Sequence, residues 1–198
     1  MNIKHDKIKV VQKGIELFWE RGYNSVGVNE ICEVTGMTKG AFYHKFKGKE
    51  NFLIETILSY GKINSDQIKE YFMLNNNPSC YEMLLNFYSH LFLRQPEINF
   101  IGCFLNNIML EVGVVNNNIG KVASKVYENF IDEIEPIVKK AQEKNEITSV
   151  IHSRKITEIL QSSFYGALTR SQSSRNNKEA INLIEILLNS FRVDFQKN

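Results

Sequence analysis

The 198-residue sequence has few residues that interrupt helices, and it lacks the marks of a membrane or secreted protein. Its only prolines are Pro78, Pro96 and Pro136. No apolar run approaches the roughly 18 residues that a membrane span needs. The polar, basic N-terminus has no apolar core followed by small residues, so it does not resemble a secretory signal. We therefore expect no membrane association.

Cysteine and histidine are also scarce. The three cysteines, Cys32, Cys80 and Cys103, lie too far apart for a metal-ligand spacing, and the four histidines are scattered. No nucleophile-base pair and no paired carboxylates at helical spacing stand out. We therefore expect a reduced, cytoplasmic protein that is not an enzyme, with no catalytic residues, no metal and no cofactor.

Charge is unevenly distributed along the chain. Residues 1–49 contain 9 Lys or Arg against 5 Asp or Glu, whereas residues 50–198 contain 15 against 17. The small overall charge of +2 therefore conceals a basic N-terminal end and a slightly acidic remainder. A basic end on a larger body is what a DNA-binding protein needs.

The basic end contains the pattern of a helix-turn-helix. Residues 28–35 can form two helical turns, with Ile31, Cys32 and Val34 facing inward. Gly36 then ends the helix, because glycine adopts the left-handed conformation at little cost. Met37 can fill the corner, and the Thr38 hydroxyl can cap a second helix over 39–46.

The second helix has the composition of a recognition helix. Phe42 and Phe46, four residues apart, are predicted to bury one face. Outward-pointing side chains on the other face can reach phosphate oxygens: Tyr43, His44, Lys45 and Lys47. The alternative is a solvated face on an ordinary helical hairpin, but the basic bias combined with the turn spacing favours DNA binding.

Four segments within the first 53 residues occur in a familiar order: 14–23, Val28 with Ile31, 36–46, and Lys49-Glu50 with Phe52-Leu53. In order and spacing they resemble the TetR family of transcriptional regulators. The resemblance implies six DNA contacts: Thr38, Lys39, Gly40, Tyr43, His44 and Lys49. One departure is Val26-Gly27, where the family commonly has a Thr or Ser pair; Gly27 brings no side-chain acceptor, and Ser25 and Asn29 are the candidate substitutes for a phosphate contact there.

Helical periodicity continues beyond the head. We predict helices over 4–21, 28–35, 39–46, 49–74, 81–92, 100–112, 119–144, 153–171 and 178–195. The first should bury Ile8, Val11, Ile15, Phe18 and Trp19. No sustained period-two pattern predicts a sheet. The fold class is therefore all-α, with a three-helix DNA-binding head over 1–48 and a helical ligand-binding and dimerisation body over 49–198.

The last two predicted helices are candidates for a dimer surface. The first of them carries small residues on adjacent turns: Ser162, Ser163, Gly166 and Ala167. The last carries an apolar stripe: Ile181, Ile184, Leu187, Leu188, Phe191 and Phe195. Both faces could instead pack inside one subunit. The resemblance to TetR proteins favours a homodimer through these two helices.

The body should contain an effector site, for which the sequence is much less specific. Candidate ligand-binding residues are Cys103, Phe104, Asn107, Met109, Tyr127, Phe130 and Phe164. Each is also explained as ordinary core, because apolar residues at helical spacing mostly pack between helices. The resemblance implies a small-molecule effector without identifying it.

Cys103 also suggests a sensor. It follows Gly102 at a predicted helix start, where free amides favour a thiolate. Gly102-Cys103 together with Glu111-Val112 resembles TetR members that sense electrophiles or oxidants through cysteine. The alternative is a packing role.

The sequence as a whole predicts a repressor that binds a palindromic operator in double-stranded DNA as a dimer and is released by its effector. A thiol sensor acting through Cys103 is the second interpretation. An all-helical enzyme or carrier, and an architectural DNA-binding protein without effector, remain alternatives. In the favoured mechanism, the effector changes the spacing between two heads that must match two half-sites.

Overall fold

A computed structural model describes residues 6–75 and 77–193, and within these ranges helices are joined by turns and loops, with one isolated bridge between Ile147 and Arg192. Its nine α-helices are α1 (Lys7–Arg21), α2 (Val28–Thr35), α3 (Lys39–Phe46), α4 (Lys49–Leu74), α5 (Cys80–Leu93), α6 (Phe104–Ile108), α7 (Asn117–Glu143), α8 (Ser153–Ser174) and α9 (Lys178–Ser190). The predicted all-α class is confirmed. None of these helices is both long and apolar enough to cross a membrane.

Two predicted helix ends differ from the structure by at least four residues. The helix predicted from residue 100 begins at Phe104, because Asn99, Phe100 and Gly102 all have positive φ angles. It then continues as one π-helical turn, Met109–Gly113. The helix predicted to reach residue 195 ends at Ser190. Phe195 and the predicted start of the first helix at Lys4 lie outside the described residues.

Two residues predicted to face inward lie on the surface. Ile8, in the first turn of α1, is 79% exposed, because no other described part of the chain covers this end of the stripe. Val34 is 38% exposed. Thr35 is buried at this end of α2 instead, and its hydroxyl donates to the Ile31 carbonyl at 2.6 Å, which removes the cost of burying it.

One compact unit comprises residues up to Asn64 together with Cys103–Glu128, and the core of its head is aromatic. Phe18, Phe42, Phe46 and Phe52 are buried, and their contacting ring centroids lie between 4.7 and 5.8 Å apart. Gly14 makes room for Phe52, since a Cβ at this position would lie 2.4 Å from the ring. This close approach joins α1 to α4 beside the recognition helix.

The second unit comprises Ser65–Gly102 and the residues from Asn129 onwards. In it α9 packs against both α5 and α8. Fully buried apolar residues on these three helices include Leu84, Tyr88, Phe92, Leu160, Leu168 and Leu188. The Tyr88 hydroxyl donates to the Gln161 side-chain oxygen at 3.3 Å, so the one polar end of this core ring is satisfied.

Candidate DNA-binding and effector sites

The helix-turn-helix forms where the sequence predicts it. Gly36 ends α2 in the left-handed conformation, with φ 74°. Met37 is buried in the turn, as predicted. The Thr38 hydroxyl accepts from the Ala41 amide at 3.2 Å and caps α3. This cap satisfies one of the helix's free amide groups and fixes the direction in which α3 leaves the turn.

The two faces of α3 separate as predicted. Phe42 and Phe46 are buried in the aromatic core. The residues predicted to contact DNA here are all exposed: Thr38, Lys39, Gly40, Tyr43 and His44. A Cβ at Gly40 would meet nothing within 4 Å, so the N-terminal end of the helix is open to a close approach by another molecule. Lys45 and Lys47 are exposed beside this face.

Lys49, the sixth predicted DNA contact, lies in a different environment. It begins α4 and is half-buried, with its Nζ atom 4.0 Å from the centre of the Tyr23 ring. Burial lowers the pKa of the Lys49 ammonium group, and the Glu111 carboxylate acts against that shift. Burial raises the pKa of the Tyr23 hydroxyl, and the Glu50 and Glu111 carboxylates raise it further. The cation is therefore held in position by the protein itself.

At the start of α2, Val26 and Gly27 stand where the family commonly has a Thr or Ser pair. Gly27 is the N-cap and offers no side-chain acceptor, while Val26 is almost fully buried. Ser25 and Asn29 are both exposed near this helix start. Their side chains are therefore accessible to another molecule.

The predicted effector residues are divided between the two units, which are described separately. Cys103, Phe104, Asn107, Met109 and Tyr127 belong to the first unit, and Phe130 and Phe164 to the second. Phe104, Phe130 and Phe164 are buried, and the other four are partly exposed. In the second unit, Phe164 packs between the rings of Tyr88 and Phe92, at 5.6 and 5.0 Å.

In the first unit, Cys103 and Phe104 lie beside two aromatic residues that the sequence did not connect to them. The Tyr60 hydroxyl oxygen is 3.4 Å from the Cys103 sulfur, and its ring centroid is 5.2 Å from that of Phe104. The Trp19 ring lies 5.7 Å from Tyr60, and its buried indole N–H has no hydrogen-bond partner among the described residues. Trp19 was predicted only as a core residue of the first helix.

The three cysteines differ in accessibility. Cys32 and Cys80 are buried, whereas Cys103 is partly exposed and occupies the N-cap position of α6. Burial raises the pKa of the Cys32 thiol, against the opposing effect of Lys39. Among the described residues, no group of His, Cys, Asp and Glu side chains has the arrangement of a metal site.

Glu111 makes contacts with the head that the sequence does not predict. Its carboxylate accepts from the backbone amides of Tyr23 at 2.9 Å and Asn24 at 2.7 Å. The sequence does single out this residue, because Glu111 is the only charged residue between Glu97 and Lys121. An isolated carboxylate in an apolar stretch requires a partner, although the sequence does not reveal which one.

The chain is similar to known bacterial transcriptional regulators. The family model described as bacterial regulatory proteins, tetR family, matches residues 10–56. The transcriptional repressor DhaR of Mycobacterium sp. (strain GP1) is 22% identical over 169 residues, which cover 85% of this chain and 83% of DhaR. The transcriptional regulator AcuR of Cereibacter sphaeroides is 24% identical, over 82% of this chain and 74% of its own.

Solved structures share the fold over almost the whole chain. A regulatory protein TetR from Rhodobacter sphaeroides superposes with a TM-score of 0.82 at 22% identity, covering 92% of this chain and 97% of its own. FadR from Bacillus subtilis, solved with stearoyl-CoA, has a TM-score of 0.73 at 17% identity, covering 92% and 96%. A cysteine mutant of CifR, solved with 26-base-pair operator DNA, has a TM-score of 0.77 at 14% identity, covering 95% and 98%.

The family model covers the helix-turn-helix that the geometry defines, and the relatives and structures extend the likeness through the body. Proteins of this family are transcriptional regulators, not enzymes. Residues 10–56 therefore belong to the TetR family, and the chain as a whole is similar to DNA-binding transcriptional regulators of that family.

Proposed function

We propose that this regulator is a repressor that binds a palindromic operator as a homodimer and leaves it when a small-molecule effector binds. The main support for this proposal is the open, polar face of α3, which lies opposite the buried Phe42 and Phe46. Two similar proteins support the proposal: DhaR is a transcriptional repressor, and the CifR structure contains operator DNA. Such a protein acts in the cytoplasm, where bacterial DNA lies.

The functional boundary falls between residues 48 and 49, with the DNA-binding domain over 1–48 and the ligand-binding and dimerisation domain over 49–198. Thr38, Lys39 and Gly40 approach base edges at the open end of α3. Tyr43, His44 and Lys49 contact phosphates. The phosphate contacts position the head, and the helix end reads the sequence.

Lys49→Ala is expected to weaken binding to all DNA sequences alike. Its ammonium group is held over the Tyr23 ring at the start of α4, where helix amides also attract phosphate. Loss of one phosphate contact should reduce the slope of log affinity against log salt concentration by about one. Fluorescence anisotropy on specific and unrelated duplexes measures both effects. Unchanged binding at moderate salt would contradict the contact.

Lys39→Ala is the matched comparison, since Lys39 is exposed at the first position of α3. Its loss should be confined to particular operator positions, on the order of 1–3 kcal/mol for a base contact. Equal losses on all duplexes would instead place Lys39 among the phosphate contacts.

The dimer surface lies on the outer faces of α8 and α9. Ile184, Leu188 and Phe191 of the predicted stripe are buried inside the chain, so they are used within the subunit. Gly166 is exposed on α8, and Leu183 and Ile186 are exposed on α9, at 42% and 57%. These residues offer the small and apolar surface that a second copy of the helix pair needs.

The protein leaves its operator when the spacing between the two heads of the dimer changes. Both α3 helices must reach successive major grooves, about 34 Å apart, to bind two half-sites. An effector that binds better to a dimer with different spacing lowers operator affinity. The decrease is limited to the difference between its affinities for the two states.

The effector is an apolar small molecule bound in the body. In the first unit the proposed contacts are Phe104, Asn107, Met109 and Tyr127, together with Cys103; in the second unit they are Phe130 and Phe164. The FadR structure, solved with stearoyl-CoA, is a precedent for a ligand with a long apolar chain on this fold. Screening small molecules for release of a selected operator tests this assignment.

A second candidate function is thiol sensing through Cys103. It is favoured by the partial exposure of this cysteine, its N-cap position on α6 and the Tyr60 hydroxyl 3.4 Å away. Cys32 and Cys80 are buried. A group added to Cys103 must displace neighbouring rings, and packed interiors respond to added volume by shifting whole elements.

Treatment with N-ethylmaleimide is therefore expected to modify Cys103 before Cys32 and Cys80, and to lower operator affinity about tenfold or more. Mass spectrometry identifies the modified cysteine, and anisotropy measures the affinity. Cys103→Ser protein should keep its DNA binding under the same treatment. An unmodified Cys103, or equal release from the Ser variant, would leave the reversible apolar effector as the explanation.

A further inference from the structure

The segment that contains Glu111 contacts both ends of the helix-turn-helix. Glu111, on the π-helical turn, accepts from the amides of Tyr23 and Asn24 in the connection between α1 and α2. A few residues later, the side-chain amides of Asn116 and Asn118 donate to the Glu50 carboxylate at 3.1 Å each. We name these two contacts the turn clasp and the α4 clasp.

The position of these contacts in the chain is informative. Helices α2 and α3 lie between Asn24 and Glu50, so the two clasps hold the chain just before and just after them. Both clasps come from the same ten-residue stretch, 109–118. Because both ends are fixed to one short stretch, the orientation of the helix-turn-helix follows the orientation of that stretch.

The turn clasp has the features of a built contact. A carboxylate that accepts two backbone N–H groups forms two charge-assisted hydrogen bonds. Gly22 leaves the necessary space, since a Cβ there would lie 3.1 Å from a Glu111 carboxylate oxygen. The π turn is itself unusual, and such turns recur at functional sites because they change the direction of side chains along a helix.

We propose that Glu111 is a positioning residue for operator binding, which sets the orientation of the helix-turn-helix so that two heads of a dimer match two half-sites. This inference rests on the proposed function as a dimeric operator-binding protein. Glu111 contacts no DNA; it acts through the turn before α2. Movement of 109–118 would then be transmitted directly to the recognition helix.

Glu111→Gln tests this proposal, because it keeps the side chain's shape while removing its charge and one of its two acceptor oxygens. The probes are a duplex that the wild-type protein selects from randomised DNA and the same duplex with one half-site scrambled. Affinity for the intact duplex should fall about tenfold, which is close to the lower end of the range for hydrogen bonds to charged groups. Affinity for the scrambled duplex should stay within about twofold of wild type, because one head needs no partner spacing.

Glu55→Gln is the matched control. Glu55 lies in the same unit on α4, and its carboxylate pairs with the exposed Lys7 at 2.9 Å. This variant should bind both duplexes as the wild type does. In Glu111→Ala, hydrogen exchange at the Tyr23 and Asn24 amides should accelerate, which reports loss of the turn clasp directly.

Wild-type affinity of Glu111→Gln for both duplexes would overturn the proposal. Equal losses on both duplexes, with a lowered melting temperature, would show that Glu111 only stabilises the head. If the wild-type protein itself gains nothing from the second half-site, the proposed dimeric function fails instead. The experiment therefore separates the two failures.

Discussion

Phe52→Ala is expected to lower the free energy of unfolding by about 3–5 kcal/mol, the range for truncating a buried phenylalanine. Phe52 is fully buried, and its ring contacts those of Phe18, Phe42 and Phe46. The melting temperature should fall by roughly 6–20 °C, at about 2–4 °C for each kcal/mol in a chain of this size. Operator binding should be lost with it, because Phe42 and Phe46 hold α3 in place.

Leu58→Ala on the same helix is the control. Leu58 is 50% exposed, so its truncation should change stability by less than about 0.5 kcal/mol. Thermal unfolding followed by circular dichroism, with operator binding measured in parallel, compares the two variants. Similar small changes in both would show that the aromatic cluster is not the core of the head.

The head could be predicted closely from the sequence because its determinants are local. Gly36 ends one helix and Thr38 caps the next, and each acts within a few residues. The spacing of Phe42 and Phe46 defines a buried face by helical geometry alone. Their burial in turn leaves Tyr43 and His44 outside, so the exposed face followed without knowledge of the tertiary contacts.

The same periodicity was less informative where tertiary contacts decide burial. Ile8 continues the apolar stripe of α1 but lies beyond the elements that cover it. Ile184 and Leu188 form part of a stripe that fits a dimer surface as well as a core, and α5 and α8 cover them within the chain. An apolar pattern shows that a face is buried, and the partner that buries it depends on the fold.

The surroundings of Cys103 and Glu111 were the hardest to predict because their contacts join distant parts of the chain. Cys103 meets Tyr60 across 43 residues, and Glu111 meets Asn24 across 87. The start of α6 at Phe104 depends on the positive φ angles of Asn99 and Phe100. Asn tolerates such an angle, but phenylalanine does not predict one. Contacts between residues so far apart in the chain cannot be inferred from local sequence patterns.

Gly166→Arg is expected to abolish dimerisation while leaving the subunit folded. A Cβ at Gly166 would meet nothing within 4 Å in the chain itself, and the residue is exposed in the middle of α8. A long charged side chain therefore has space in the monomer. In the proposed interface it would face the second copy, where burying an unpaired charge is costly. Without the dimer, operator affinity should fall about 10²- to 10⁴-fold, the usual gain from joining two binding modules.

Gly166→Ala is the matched control, because it keeps the side chain small and favours the helix by about 0.8–1 kcal/mol. It should remain dimeric and bind operator as the wild type does. Sedimentation analysis measures the oligomeric state, and circular dichroism checks the fold of each variant. A Gly166→Arg protein that stays dimeric and keeps its operator affinity would place the interface elsewhere. A monomer that still binds a single half-site with unchanged affinity would show that α3 reads DNA independently, and that the dimer contributes by presenting two such helices at once.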